Sequence, residues 1–272
     1  MSGDELPEHD TKTVAERLAG KNTMRPALPK RFYKAASVAT LATAGSAARY
    51  GIQLDGRAVK TPKKRLLEVH NKAFADAIAA EWAAQDKLID PATMPLTRIA
   101  NTAIDAVADM MADVSADIAK FAGSDLLCYR AEGPQALVAR QAAAWDPVLT
   151  WAHKDLGACF ILAQGIVPVK QPPRSLEQIA KALESYDAFQ LSSLHIITTL
   201  TGSALLALAF ARGVLTRDAV WACAHVDEDW QIEQWGEDEE AQVRRAGRAR
   251  EFAAAAQVLE FAEFIPTRKK SE

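Results

Sequence analysis

The chain has 272 residues, 49% of them hydrophobic and 25% charged, the composition of a folded globular protein with one sizeable core or two modest ones. Thirty-two Lys and Arg against 35 Asp and Glu give a formal charge of -3, so no global basic excess points to nucleic acid or an anionic membrane as the main partner. Collagen-like, mucin-like and wholly disordered classes are excluded, and Ala-rich stretches at Ala73 to Ala84 and Ala253 to Ala256 turn the expectation towards helix.

In chain order, residues 1–30 are acidic and polar and contain Pro7, Pro26 and Pro29; they predict a flexible tail with one short helix near Val14 to Leu18. This stretch lacks the apolar core of a secretory signal and the Arg-rich bias of a mitochondrial presequence, from which a cytoplasmic, bacterial protein is expected. Between Arg31 and His70 the pattern is that of strands. Val38 and Thr40, then Tyr50, Ile52 and Leu54, alternate, and Asp55-Gly56 supplies a two-residue hairpin turn that sets Ile52 opposite Val59. Pro62 ends the second strand and Arg65 to Val69 offers a third.

Asn71 is a good helix N-cap, and Phe74, Ile78 and Trp82 make an amphipathic helix to about Lys87. With Thr97 as a cap, the run Ala100, Ile104, Val107, Met111, Val114, Ile118, Phe121 predicts one long helix. Pro134, in a first turn, opens the next helix; Leu137, Gln141 and Trp145 continue it, Asp146-Pro147 predicts a kink or fresh start, and Gly157 closes it. Cys159 to Ala163 is a strand or an extended connection. Ser175 with Gln178 predicts a capping box. Helices then follow from Leu191 to about Arg212, with Gly213 as stop, from Thr216 to about Trp235, and from Asp238 to about Phe264. The apolar stretch Leu194 to Ala211 carries His195, Gly202 and Ser203, so it predicts a buried helix rather than a membrane span.

Signatures of catalysis are missing: there is no phosphate loop, no GxGxxG, no GxSxG, no HExxH and no CxxC pair. Cys128, Cys159 and Cys223 are odd in number and far apart, so they predict buried small hydrophobes and no disulfide. One alternative keeps an enzyme open: His225 and Asp229 lie one turn apart among acids and could serve a metal-dependent hydrolase. Against it, His70, His153 and His195 have no ligand-like spacing; His195 reads as a hydrogen-bonded core residue and His225 as an exposed or half-buried one. No metal and no cofactor are expected.

Charge segregation is the strongest local feature. Eight carboxylates lie between Asp227 and Glu240 with no Lys or Arg among them, and Arg244, Arg245, Arg248 and Arg250 follow. Acids in a first helical turn and the i,i+4 pair Glu240 with Arg244 account for much of this as a solvated face. Trp230 and Trp235 lie among the acids, however, and tryptophan beside surface charge is the composition of a protein-binding patch. A basic strip at Arg57, Lys60, Lys63, Lys64 and Arg65 flanks the hairpin; without interleaved aromatics it reads as lysine that keeps a strand edge from pairing.

The stretches RFYK (31–34), LDGRAVKTPKK (54–64), AEWAAQDKLIDPATMPLTRIANTAID (80–105), DLLCYRA (125–131), RQAAAWDPVLTWA (140–152), TGSALLALA (201–209) and DEDWQIEQWGEDEEA (227–241) resemble, in order, the ATP synthase assembly-factor family that chaperones the alpha subunit of the catalytic head. The resemblance implies an α+β fold with a small N-terminal β-rich domain, residues 31–95 with one helix, followed by a larger all-helical domain, residues 96–272, after the 1–30 tail. It also implies a monomeric, non-enzymatic and ATP-independent chaperone that holds the unassembled alpha subunit until beta subunits arrive. In the family pattern WGxDxEA the acid before the alanine is tied to function; here that pattern is Trp235, Gly236, Asp238, Glu240 and Ala241. Glu240 is therefore the principal expected partner-binding residue, with Asp238, Trp235, Glu237 and Trp230 around it.

Overall fold

The structure is a computed structural model that describes residues 27–41, 48–165 and 168–262; the helix expected near Val14 to Leu18 lies outside them. A small antiparallel sheet comes first: β1 (Ala36–Leu41), β2 (Arg49–Leu54), β3 (Arg57–Ala58) and β4 (Glu68–Val69), with β2 between β1 on one side and β3 and β4 on the other. The Asp55-Gly56 hairpin forms as its sequence demands, with φ of 48° and 78° at its two turn residues. Pairs Leu54 with Arg57 and Gln53 with Ala58 set the register, and Val59 N–H donates to the Ile52 carbonyl at 2.8 Å, which is the expected pairing. The third expected strand is shorter than Arg65 to Val69, because only Glu68 and Val69 reach β2 while Leu66 bridges back to Lys60.

Helix α1 (Lys72–Ala83) starts where Asn71 accepts the Phe74 amide. It lays Phe74, Ile78 and Trp82 against the sheet and ends at Ala83, a turn earlier than its pattern predicts. The long helix expected from Ala100 to Phe121 is in fact two, α2 (Pro95–Asp105) and α3 (Met111–Phe121), with a 3-10 turn at Val107–Asp109 between them. Its cause lies far away in sequence. Lys63 Nζ donates to the Asp105 carbonyl at 2.5 Å, Arg65 to that of Ile104 at 2.5 Å, and the Asp105 carboxylate takes the Thr61 hydroxyl at 2.6 Å. Two cations of the basic strip thus satisfy the last carbonyls of α2 and complement its dipole, so guarding a strand edge is not their role. Thr97 is not a cap either; it sits inside the first turn of α2, where Glu81 of α1 accepts its amide at 2.8 Å and the Leu96 amide at 2.7 Å.

Helix α4 (Gln135–Trp151) continues through Asp146-Pro147 with Pro147 inside it, so there is no fresh start at that point. Neighbours hold it: the Trp145 indole is buried with its N–H on the Cys223 carbonyl at 2.8 Å, and Asp146 pairs with Arg130 at 2.8 Å. Pro134 precedes the first helical residue rather than occupying the first turn, and Gly157 closes the helix at φ 69° after one π turn. The apolar run that follows is an extended connection ending in β6 (Ala163–Gln164), parallel to β5 (Tyr129–Arg130). Ser175 forms no capping box: it lies within α5 (Pro173–Leu183) and its hydroxyl exchanges hydrogen bonds with the backbone of Cys159. The capping box is at Asp187 and Gln190, opening α6 (Ala188–Thr201).

The stretch read as one buried helix is likewise broken. Gly202, at φ 68°, ends α6, and Ser203 caps α7 (Ala204–Ala211), every residue of which is buried. The interruption is held by buried Asp125, which accepts the amides of Leu127 and Leu205, each at 3.1 Å. None of the described helices is long and apolar enough to cross a membrane. The expected helix from Thr216 to Trp235 divides at His225 into α8 (Arg217–Ala224), capped by Thr216, and α9 (Val226–Trp235). Helix α10 (Glu239–Phe261) starts at its Asp238 cap as predicted and packs along α6. The whole is a small N-terminal strand region followed by helices, an α+β fold as expected.

Candidate functional site

The acidic segment is carried by α9, the turn at Gly236 and the first turns of α10. Gly236, at φ 85°, ends α9 in a conformation that favours a residue without a Cβ, and Asp238 accepts the Ala241 amide at 2.7 Å to start α10. Two helix N-termini therefore draw acids, Asp227 to Asp229 in α9 and Glu239 and Glu240 in α10, where the dipole favours negative charge.

Their partners divide the cluster in two. On α9, Asp227 accepts from Gln141 at 2.7 Å, Glu228 pairs with Arg248 at 2.9 Å, Asp229 with Arg245 at 2.5 Å and Glu233 with Arg140 at 2.7 Å. These acids clamp α9 to α10 and α4. Beyond Gly236 the pattern changes: among the described residues Glu237 meets Gln242 and no cation, Glu240 faces Arg244 at 3.3 Å with both side chains mostly in water, and Glu239 has no ion pair. Trp235 is 87% exposed beside them, and Val243 is exposed one turn into α10. The turn thus presents Trp235, Glu237, Asp238 and Glu240 together in solvent, while Trp230 is half-buried on α9. Val243 is missing from the sequence reading, although its spacing of three from Glu240 places it on the same helix face.

This geometry gives the hydrolase alternative at His225 and Asp229 no support. His225 is buried rather than exposed, its Nδ1–H donates to the Trp221 carbonyl at 2.7 Å, and its ring lies 3.9 Å from that of Trp221. Burial lowers its pKa, with Arg245 and Arg248 adding to the effect. Glu228, 3.6 Å from Nε2, and Asp229 are already held by arginines, so neither is free to bind a cation. Among the described residues no group of three His, Cys, Asp or Glu side chains could hold a metal ion. His195 is a core residue as expected, buried with Nε2 2.9 Å from Asp117.

Cys128 and Cys223 are buried, and burial pushes the Cys128 thiol up to about 12. Cys159 is exposed, against expectation, with its sulfur 2.8 Å from His153 Nδ1; the connection that carries it runs over the surface although its residues are apolar.

Comparison with known proteins was made on this architecture. The family described as "ATP12 chaperone protein" matches residues 30–153. A crystal structure of Atp12 from Paracoccus denitrificans superposes with a TM-score of 0.78 at 38% identity, covering 86% of this chain and 99% of that one. A protein of Agrobacterium tumefaciens superposes with a TM-score of 0.81 at 49% identity, covering 87% of each chain. The mitochondrial protein atp12 of Schizosaccharomyces pombe is 26% identical over 207 residues, spanning 70% of this chain and 69% of its own.

Proposed function

Since this chain belongs to the ATP12 chaperone family, we propose that it is an ATP-independent assembly chaperone that binds the unassembled alpha subunit of ATP synthase and yields it to beta subunits as the catalytic hexamer forms. On this reading it acts as a monomer, in the bacterial cytoplasm, without catalysis or cofactor. Residues 31–95 form its β-rich domain and 96–272 its helical one.

The observation that carries the reading is the exposed turn at Trp235 to Glu240. An alpha subunit without its beta neighbours exposes surface that the hexamer later buries, and such surface aggregates unless covered. A chaperone with no phosphate loop cannot drive release by hydrolysis, so it binds modestly and is displaced by whatever buries the same surface better. One exposed tryptophan supplies contact area, while four carboxylates at its edge speed and orient encounter. Half of the acidic cluster is committed to holding α9 in place, and this rigid support leaves the tip pre-organised.

The test is charge reversal at the tip. Glu240→Lys should abolish suppression of alpha-subunit aggregation and Glu240→Gln should weaken it less, with melting unchanged, because an exposed i,i+4 pair contributes only about 0.3–0.5 kcal/mol. If Glu240 served its own helix alone, Arg244→Ala would do as much harm as Glu240→Gln. Full protection by folded Glu240→Lys protein would refute the assignment.

A further inference from the structure

A second surface, on the strand region, has a chemistry opposite to that of the acidic turn. A groove of about 650 Å³ lies between the segment leading into β1 and the β2–β3 hairpin, floored by the C-terminal part of α1. Phe32 forms one wall and is 75% exposed; its ring stands edge-on to Tyr33 at 5.4 Å, and Tyr33 is itself buried, 5.8 Å from Trp82 and hydrogen-bonded to the Trp82 carbonyl at 2.7 Å. The Arg31 guanidinium sits over the Tyr33 ring at 4.7 Å. Phe32 thus stands in the open beside an anchored ring, where a side chain that covers it gains apolar contact.

The opposite wall carries Arg57 and Lys60, neither of which has an ion-pair partner among the described residues. They differ in this from Lys63 and Arg65 of the same basic strip, which are consumed at the end of α2. The groove's one carboxylate, Asp55, is spent on the amides of Lys34 and Ala35 at 2.8–3.1 Å, and those bonds hold it below the usual carboxylate range. Ala58, between the two cations, sits in the wide pair opposite Gln53, so its amide and carbonyl point away from β2 and are open to an extended chain. Exposed aromatic, free cations and open backbone ask for one complementary ligand.

We infer that this groove is a docking site for an extended segment of a partner protein in which an aromatic side chain is flanked by carboxylates. The aromatic ring stacks against Phe32 over the Tyr33–Trp82 floor, and the flanking carboxylates meet Arg57 and Lys60. The site is separate from the acidic turn and does not depend on which protein that turn binds.

Three acetylated pentapeptides serve as probes, titrated into isotope-labelled full-length protein and followed by amide and indole NMR: a phenylalanine flanked by glutamates, a phenylalanine flanked by lysines, and an alanine flanked by glutamates. The first should bind at least tenfold more tightly than the others, with shifts concentrated at Phe32, Ala58 and the Trp82 indole. The Arg57→Glu/Lys60→Glu variant should reverse the preference between the charged peptides, Phe32→Ala should weaken the first at least fivefold, and Glu240→Lys should leave it unchanged. Equal binding of all three peptides, or shifts confined to other surfaces, would overturn the inference. So would self-association of the wild type that disappears in both Arg57→Glu/Lys60→Glu and Trp235→Ala, since the occupant would then be the acidic turn of a second copy.

Discussion

Asp125 shows how one buried side chain can decide local architecture. It is fully buried, has no ion pair among the described residues, and accepts amides from two chain segments that meet at the α6–α7 break. Burial is the larger influence on its acidity and outweighs these hydrogen bonds, raising its pKa from 3.8 to about 6. A carboxyl with a folded pKa above its unfolded value holds its proton more tightly in the native state. Its stabilising contribution is therefore greatest below about pH 4 and is lost as pH rises through about 6. Asp125→Asn keeps the size but offers one acceptor where two oxygens now work, leaving an amide unpaired at a cost of about 1–3 kcal/mol. Thermal melting at pH 4.5 and pH 7 should show the variant less stable at both and the gap wider in acid.

Among the elements, the ends of α2 are the instructive case. Its first amides are capped by Glu81 from α1 and its last carbonyls by Lys63 and Arg65 from the loop after β3, so both ends are satisfied by tertiary neighbours. Thr61→Val removes the hydroxyl bonded to buried Asp105 and should lower stability by about 1–3 kcal/mol, read as a lower urea midpoint with an unchanged slope. The same contacts explain why one helix was expected where two exist. Ala100 in α2, Val107 in the 3-10 turn and Val114 and Ile118 in α3 all face the core, so the apolar spacing continues across a break made by residues some 40 positions away. At Gly202-Ser203 and His225 the apolar pattern also continues while the backbone turns. By contrast, Asn71, Thr216 and Asp238 are caps whose partners lie three residues along the chain, and each is legible in the sequence.

For the molecule as a whole, Phe74 joins the strand region to the helices: its ring is edge-on to Phe189 of α6 at 5.9 Å and stacked on Phe261 of α10 at 5.6 Å, while the Asn71 side chain donates to the Phe261 carbonyl at 2.7 Å. Phe74→Ala should cost about 3–5 kcal/mol, and because the cavity adjoins three helices the loss should appear in one transition, by circular dichroism and by tryptophan fluorescence alike. The absence of any phosphate-binding loop from the sequence carries a second prediction. Millimolar ATP, with or without magnesium, should leave the melting temperature unchanged, and no phosphate should be released. A clear nucleotide-induced stabilisation would contradict release by displacement.

What the sequence determined by itself is what short-range chemistry governs. The Asp55-Gly56 hairpin and its register, the α1 and α10 starts, the all-buried run through Ala204–Ala211 and the acidic turn around Glu240 follow from φ preferences, side-chain caps and burial, each settled within a few residues. Long-range contacts decided the remainder. Which acids are neutralised was settled by Arg140, Arg245 and Arg248, which leave Glu237, Glu239 and Glu240 at the tip. His225 was made a buried donor to the Trp221 carbonyl. Of the basic strip, Lys63 and Arg65 became helix-capping cations while Arg57 and Lys60 have no ion pair among the described residues, and Tyr33, against which the exposed Phe32 ring stands, was anchored on Trp82. Charges and ring faces take their roles from whatever stands within a few ångströms, and across separations such as the 93 residues between Arg140 and Glu233 only the folded chain sets that.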